Sequence, residues 1–453
     1  MLLRFRVANH ASLRDEQELS LIADKPRAER AEGEVPRSAY RTVPATAIYG
    51  PNASGKSNVI DAIAWMRFAV LSSFRQWDPS GGVPRAPFGL RPDKAAHLTE
   101  VEAEFVLQGV RYQYGFACDD ERITSEWLYD YPQGRIRRLF ERSGDGSPKF
   151  GRSLTGRVKM IGDLLRPNSL YLSVAAAQGH RLLGAIRHWF DRGLIVATDF
   201  DFSARLDDTI ERYLASNRRE RADLLLPLLR LADVGVAGVQ VDEAEADDGL
   251  RSALERMQQF FQESVGGRIV FQGSLSHRVK TVHEVESGRY ALALREESSG
   301  TQTWIGMLGP VFEALAHGAT LCVDELDARL HPYLSAVLVS LFQDPEVNPH
   351  RAQIVFTAHD TSLLGRNTTL KLERDQVWFT EKDHRTGATT LFPLSDFQER
   401  DSASLEKRYL VGRFGAVPFL DDDARAALAA AIKQHRNLGE AAEEPRSGAT
   451  ATA

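Results

Sequence analysis

The chain has 453 residues, 43% of them apolar and 26% charged, enough for two to three domains and a sizeable core. The formal net charge of −6 argues against a globally basic nucleic-acid binder but leaves room for a local basic groove. Cys118 and Cys322 are the only cysteines, which argues against a disulfide framework or a Cys-rich zinc site and suits a reducing compartment.

The opening segment "MLLRFRVANHASLRD" has no long apolar run, so no signal peptide is expected. No stretch reaches membrane-spanning length, and a cytoplasmic protein is expected. Thr46–Tyr49 reads as a short buried strand. It runs into "GPNASGKSN", which matches the G-x-x-x-x-G-K-[ST] phosphate-binding loop. From Asn58 a helix is expected, with Val59, Ile60, Ile63 and Met66 on one face. Gly50 and Gly55 permit backbone geometry that lets loop N–H groups converge on phosphate oxygens, aided by the helix N-terminus. Asn52, Ser54 and Asn58 belong to the same loop. Lys56 is expected to reach the β- and γ-phosphates of ATP, and Ser57 to ligate Mg²⁺.

"VEAEFVLQGVRYQYGF", "RITSEWLYDY" and "GRIRRLFER" read as antiparallel strands. "DTIERYLASN" and "RADLLLPLLRLADVG" read as helices of a compact lobe, and "GRIVFQGSLSHRVKTVHEVESGRYALAL" as returning hairpin strands. In "EESSGTQTWIGML" small and acidic residues precede apolar ones at helical spacing, so "SSGTQ" caps an amphipathic helix. Gly309-Pro310 falls inside that helix, so a kink or a shorter helix is expected.

Thr320–Val323 reads as a strand ending in Asp324-Glu325. Beside a phosphate-binding loop, Asp324 would sit near Mg²⁺, and Glu325 could orient and deprotonate a water. The alternative is a strand ending in an exposed acidic turn. Gln353–Thr357 repeats the design with Ala358-His359-Asp360 at its end. His359 could hydrogen-bond the γ-phosphate, while Asp360 or Thr361 caps the following helix. His331, before Pro332, reads as structural or as a conformational relay; His277 and His384 have no such context. Asp421-Asp422-Asp423 reads as an acidic helix start rather than a nuclease metal site, and "EEPRSGATATA" as a polar tail.

The order of loop, SSGTQ, Asp-Glu strand and His strand resembles the ATP-binding-cassette ATPase superfamily. Ser298–Gln302 takes the place of its L-S-G-G-Q signature, 24 residues before Asp324 counted from Gly300. The resemblance implies that Ser299 and Gly300 close on ATP held by a second copy of the chain. It also implies that Asp327 belongs to a D-loop crossing the dimer interface. A Q-loop glutamine is not evident; Gln76 and Gln113 are the candidates. About 240 residues separate Ser57 from Ser299 without sustained heptads. With "FRVANHASLRDEQELSL", "VDELDARLHP", "TAHDTSLL" and "GRFGAVP", this resembles the RecF and OLD-homologue group and, within it, the RloA-like abortive-infection ATPases.

The fold expected is α/β: an ABC-type P-loop head with a mixed central sheet, an antiparallel side sheet and a compact helical lobe. Residues 1–195 and 267–420 would form the two halves of the head, 196–266 the lobe, and 421–453 a C-terminal helix and tail. Three functions fit. One is an ATPase dimerising around ATP in phage defence, gating a separate TOPRIM-type nuclease. Another is a RecF-like repair factor holding DNA on "SNRRERAD" and "GRIRRLF". The third is an ATP-bound scaffold with little turnover.

Overall fold

A computed structural model describes residues 1–25, 27–144, 147–198, 201–214, 219–232, 235–241, 279–365, 370–397, 404–417, 425, 427–432 and 434–435. His277 and the Asp421–Asp423 run lie outside them. The chain divides into two compact units, Met1–Ala416 and Val417–Ala453.

In chain order come β1 (Leu2–Ala8), β2 (Gln17–Ser20), the short β3 (Gly33–Glu34) and β4 (Arg41–Thr42), β5 (Ala45–Tyr49) and α1 (Lys56–Ser72). The strands β6 (Thr99–Leu107), β7 (Val110–Cys118), β8 (Ile123–Asp130), β9 (Arg137–Ser143) and β10 (Lys149–Phe150) follow. Next are α2 (Val158–Gly162), α3 (Tyr171–Ala177), α4 (Arg181–His188) and β11 (Leu194–Ala197). Then follow α5 (Phe202–Thr209), α6 (Arg219–Leu231), β12 (Val236–Val241), β13 (Val279–Val285) and β14 (Gly288–Ala293). The last stretch holds α7 (Ser299–His317), β15 (Thr320–Val323), α8 (Pro332–Gln343), β16 (Gln353–Thr357), β17 (Val377–Lys382), β18 (Thr389–Pro393) and α9 (Leu405–Leu410).

Two large sheets result. The central one has the order β11-β15-β16-β5-β17-β18 and is parallel except for the β17–β18 hairpin. Its strands β15, β16 and β5 are buried at every position, which accounts for their unbroken apolar runs. The side sheet, β10-β9-β8-β7-β6-β1-β2, is antiparallel throughout, as its alternating sequences lead one to expect. Tyr112, Tyr114 and Phe116 alternate along β7 and all turn inward.

Helix α1 shares its core with both sheets. Val59, Ile60, Ile63 and Met66 are buried as expected, and so are Ala62, Ala69 and Val70. They cluster with Phe105, Tyr114 and Phe116 of the side sheet and with Cys322 and Val355 of the central one. Trp65 lies 5.5 Å from the Phe116 ring. A polar loop at the start of α1 is thus anchored by an apolar helix body. No helix among the described residues is long and apolar enough to cross a membrane.

Two features differ from the sequence-based expectations. A three-stranded sheet, β12-β13-β14, joins a strand from the stretch expected to be helical to the hairpin before α7. Helix α7 also runs unshortened through Pro310. Proline removes the donor that would serve the Gly306 carbonyl. That carbonyl is met instead by the Thr209 hydroxyl of α5 at 3.5 Å. Close approach of α5 is possible because Gly306 and Gly309 lack side chains; a Cβ at Gly309 would overlap the Thr209 hydroxyl.

Gly309→Ala therefore sets two effects against each other. Helix propensity favours alanine by about 1 kcal/mol, while overpacking costs about 1–3 kcal/mol. With the overlap directed at Thr209, net destabilisation is expected, read as a lower urea midpoint. A raised midpoint would show that α5 yields.

Candidate functional site

β5 delivers the chain into a loop, Gly50–Ser57, that wraps over the start of α1. Gly55 adopts φ of 100° and Ala53 φ of 62°, left-handed conformations that glycine takes without strain. Gly55 also has no room for a side chain, since a Cβ would come within 2.7 Å of the Ser12 hydroxyl and overlap Thr389. The loop is strapped from two sides. Ser54 Oγ hydrogen-bonds Thr380 Oγ1 at 2.6 Å, and Thr389 Oγ1 donates to the Ser54 carbonyl at 2.8 Å. Ser12 hydrogen-bonds Thr389 Oγ1 and accepts from Asn58 Nδ2, both at 2.6 Å.

Lys56 is 5% exposed, and its ammonium donates to the Gly50 and Pro51 carbonyls at 2.9 and 3.1 Å. Among the described residues it has no ion-pair partner. Burial pushes its pKa below the ordinary lysine value, against the opposing pull of Glu325, Asp324 and Asp327.

The strand ends supply the other wall. Thr357, buried at the end of β16, donates to Asp324 Oδ1 at 2.7 Å and accepts the Glu325 N–H at 2.7 Å. That pair of bonds, with Ala328 N–H donating to the Glu325 carbonyl at 2.9 Å, holds Glu325 at φ of 51°. A left-handed conformation is uncommon for a residue of this type. The Glu325 side chain is 44% exposed, and His359 Nε2 stands 3.8 Å from its Oε1. Asp327 Oδ2 accepts the N–H groups of His359 at 2.8 Å and Asp360 at 2.5 Å, tying the acidic turn to the histidine loop. Its Oδ1 is buried without a hydrogen-bond partner among the described residues. Of the two capping candidates, Asp360 takes the role, accepting from Ser362 N–H at 2.9 Å. His331 caps α8 by accepting the Tyr333 N–H at 3.2 Å, the structural alternative of its two readings.

These walls enclose an open cleft of about 810 Å³, lined by the loop from Asn52 to Asn58 (Ser54 excepted) with Glu325, His359 and Lys382. Ser54 is 1% exposed and faces β17 instead. Gln113 is not on this cleft: it bonds Glu102 and Tyr131 within the side sheet. Gln76 is exposed and likewise does not line it.

At the head of α7, Ser298 Oγ caps the Thr301 N–H at 3.1 Å, and Gln302 Nε2 reaches back to the Glu297 carbonyl at 2.9 Å. Ser299 is exposed. Gly300 lies against the segment that follows Asp327, where a Cβ would come within 2.9 Å of the Arg329 carbonyl. Neither Ser299 nor Gly300 lines the chain's own cleft. Ser12, Thr357, Thr380, Thr389 and Lys382 were not singled out from sequence; only Thr357, as the last residue of an apolar strand before the histidine, carried a local signal.

A family model described as "AAA domain, putative AbiEii toxin, Type IV TA system" matches residues 45–365. That is 321 of 453 residues, and it takes in the loop, the α7 cap, the acidic pair and His359. The chain belongs to this AAA-domain family. Lys382 lies beyond the matched span. Among solved structures, the SMC head domain from Thermotoga maritima is similar at 15% identity with a TM-score of 0.38, covering 86% of this chain and 98% of that one. An SMC head bound to the C-winged helix domain of ScpA is similar at 15% identity with a TM-score of 0.35, covering 90% and 99%. No curated protein matches the sequence.

Proposed function

We propose that this AAA-domain protein is an ABC-type ATPase that closes on a second copy of itself around ATP. One observation carries the reading: Lys56 is a buried cation with no ion-pair partner among the described residues, placed in a loop that faces an 810 Å³ cleft. Burying a charge without a counter-charge is costly, and a polyphosphate bound in the cleft would relieve that cost. The donor set also fits a metal–nucleotide: backbone N–H groups and Lys56 for phosphate oxygens, Ser57 and Asp324 for Mg²⁺. The chemistry Mg²⁺ would supply there is neutralisation of phosphate charge.

In this reading Glu325 orients and deprotonates the attacking water, and His359 contacts the γ-phosphate. Thr357 keeps Asp324 and Glu325 in place. Ser299, exposed, and Gly300, half-buried, stand at the head of α7 away from their own cleft and would meet the ATP of the partner copy. Asp327 would help set the interface while holding the histidine loop.

The cellular role proposed is antiphage defence of the RloA-like kind within the RecF and OLD-homologue group, in the cytoplasm, with a separate TOPRIM-type nuclease as the gated effector. The toxin and toxin–antitoxin wording of the family description supports such a two-component setting. The RecF-like alternative, DNA held on basic faces, has less support. Arg137 pairs with Asp130 at 2.6 Å and Arg138 with Glu141 at 3.1 Å, so two arginines of "GRIRRLF" are already engaged.

Calorimetric titration tests the site. Lys56→Ala removes charged hydrogen bonds worth about 1.5–3 kcal/mol, so ATP should bind roughly ten- to a hundredfold more weakly. Equal affinities for the variant and its parent would remove the phosphate-binding assignment.

A further inference from the structure

The cleft has two sides. β15 and β16 lie on one side of β5 and bring Glu325 and His359; β17 lies on the other. Thr380 and Lys382 are two apart on β17 and so project from the same face. On that face Thr380 hydrogen-bonds Ser54 Oγ at 2.6 Å. Lys382 is also paired directly with Thr389 of β18, and opposed residues of an antiparallel pair share a face. Thr389 in turn donates to the Ser54 carbonyl at 2.8 Å. Both neighbours of Lys382 on this face therefore touch the phosphate-binding loop, and Lys382 itself lines the cleft.

Lys382 is half-buried, and among the described residues nothing accepts a hydrogen bond from its ammonium or pairs with it. Two ammonium groups, those of Lys56 and Lys382, thus border one cleft. Without an anion between them they repel; with one they act together. We propose that Lys382 is a second phosphate-contacting cation, holding the α- and β-phosphates of the nucleotide from the β17 side. The polarity follows from the opposite wall. Glu325 and His359 serve the γ-phosphate end, so the phosphate chain must run from them past Lys56 toward β17. The inference rests on the ATP reading given above.

A contact to α- and β-phosphates is shared by ATP and ADP, whereas one to the γ-phosphate is not. Calorimetric titration of the full chain with ATP and with ADP, each with Mg²⁺, separates the two. Lys382→Met keeps the apolar stem and removes the charge. It should weaken both nucleotides by about ten- to a hundredfold, and Lys382→Arg should recover most of the loss. Parent-like circular dichroism of both variants excludes misfolding as the cause. Parent-like affinity of Lys382→Met for both nucleotides overturns the proposal, as does a loss confined to ATP. Parent binding that depends on Lys56 but not on Lys382 would remove Lys382 and leave the ATP site standing. A parent that binds neither nucleotide would remove the site itself.

Discussion

Glu325→Gln is expected to bind ATP as the parent does and to hydrolyse it slower by on the order of a hundredfold or more. The side chain lines the cleft, is 44% exposed, and is not consumed by an ion pair closer than His359 at 3.8 Å. The amide keeps the shape of the carboxylate but has no basic oxygen. Its backbone setting should survive, because the φ of 51° is held by main-chain bonds to Thr357 and Ala328 rather than by the carboxylate. Slow hydrolysis with intact binding should also accumulate the ATP-bound dimer, seen as a doubled mass by light scattering. Parent-like turnover would show that another group activates water. Negligible turnover in the parent itself, unchanged by the substitution, would favour a scaffold that holds ATP.

The parts of this site that are legible in the sequence are those built from consecutive residues. A phosphate-binding loop needs two glycines and a lysine at fixed spacing, and an acidic pair or a histidine at the end of an apolar strand can be seen in a dozen residues. What supports them cannot be seen that way. The hydrogen bonds from Ser54 to Thr380, from Thr389 to Ser54 and between Ser12 and Thr389 span 326, 335 and 377 residues. Two hydroxyls on neighbouring strands and one in the turn after β1 carry no period and no motif; only the folded chain brings them to the loop. Lys382 was hidden for the same reason, as a charged residue at the end of one strand among many. Pro310 illustrates the converse. Local rules read it as a kink or an early helix end; the helix does not end there, and the freed carbonyl is met by Thr209, a partner 97 residues away from Gly306. Asp327 lies between these cases. Its position was visible, but its hold on the N–H groups of His359 and Asp360 belongs to the folded turn.

Ser299→Arg should leave ATP binding to each subunit nearly normal and abolish turnover. Ser299 is exposed at the first position of α7, outside the chain's own cleft. An exposed helix start tolerates arginine at little cost in stability. The helix cap is also spared, because Ser298 rather than Ser299 serves the Thr301 N–H. In the two-copy reading proposed above, the bulk would instead fill the place of the partner's γ-phosphate. Mixing Ser299→Arg with Lys56→Ala sharpens the test. In a heterodimer of the two, one composite site combines the intact Lys56 loop of one subunit with the intact Ser299 of the other, while the second site carries both defects. If the α7 head acts on the partner's nucleotide, mixing restores one working site. If it served its own chain, every site would remain broken and mixing would restore nothing. Strict coupling of the two sites would also give no turnover, so nucleotide occupancy of the heterodimer must be measured beside the rate. Slower release of ATP from the heterodimer than from Ser299→Arg alone then marks the composite site even without hydrolysis. Full activity of Ser299→Arg alone would reduce "SSGTQ" to a helix cap and end the two-copy model, because a side chain of that size cannot share the position with a phosphate.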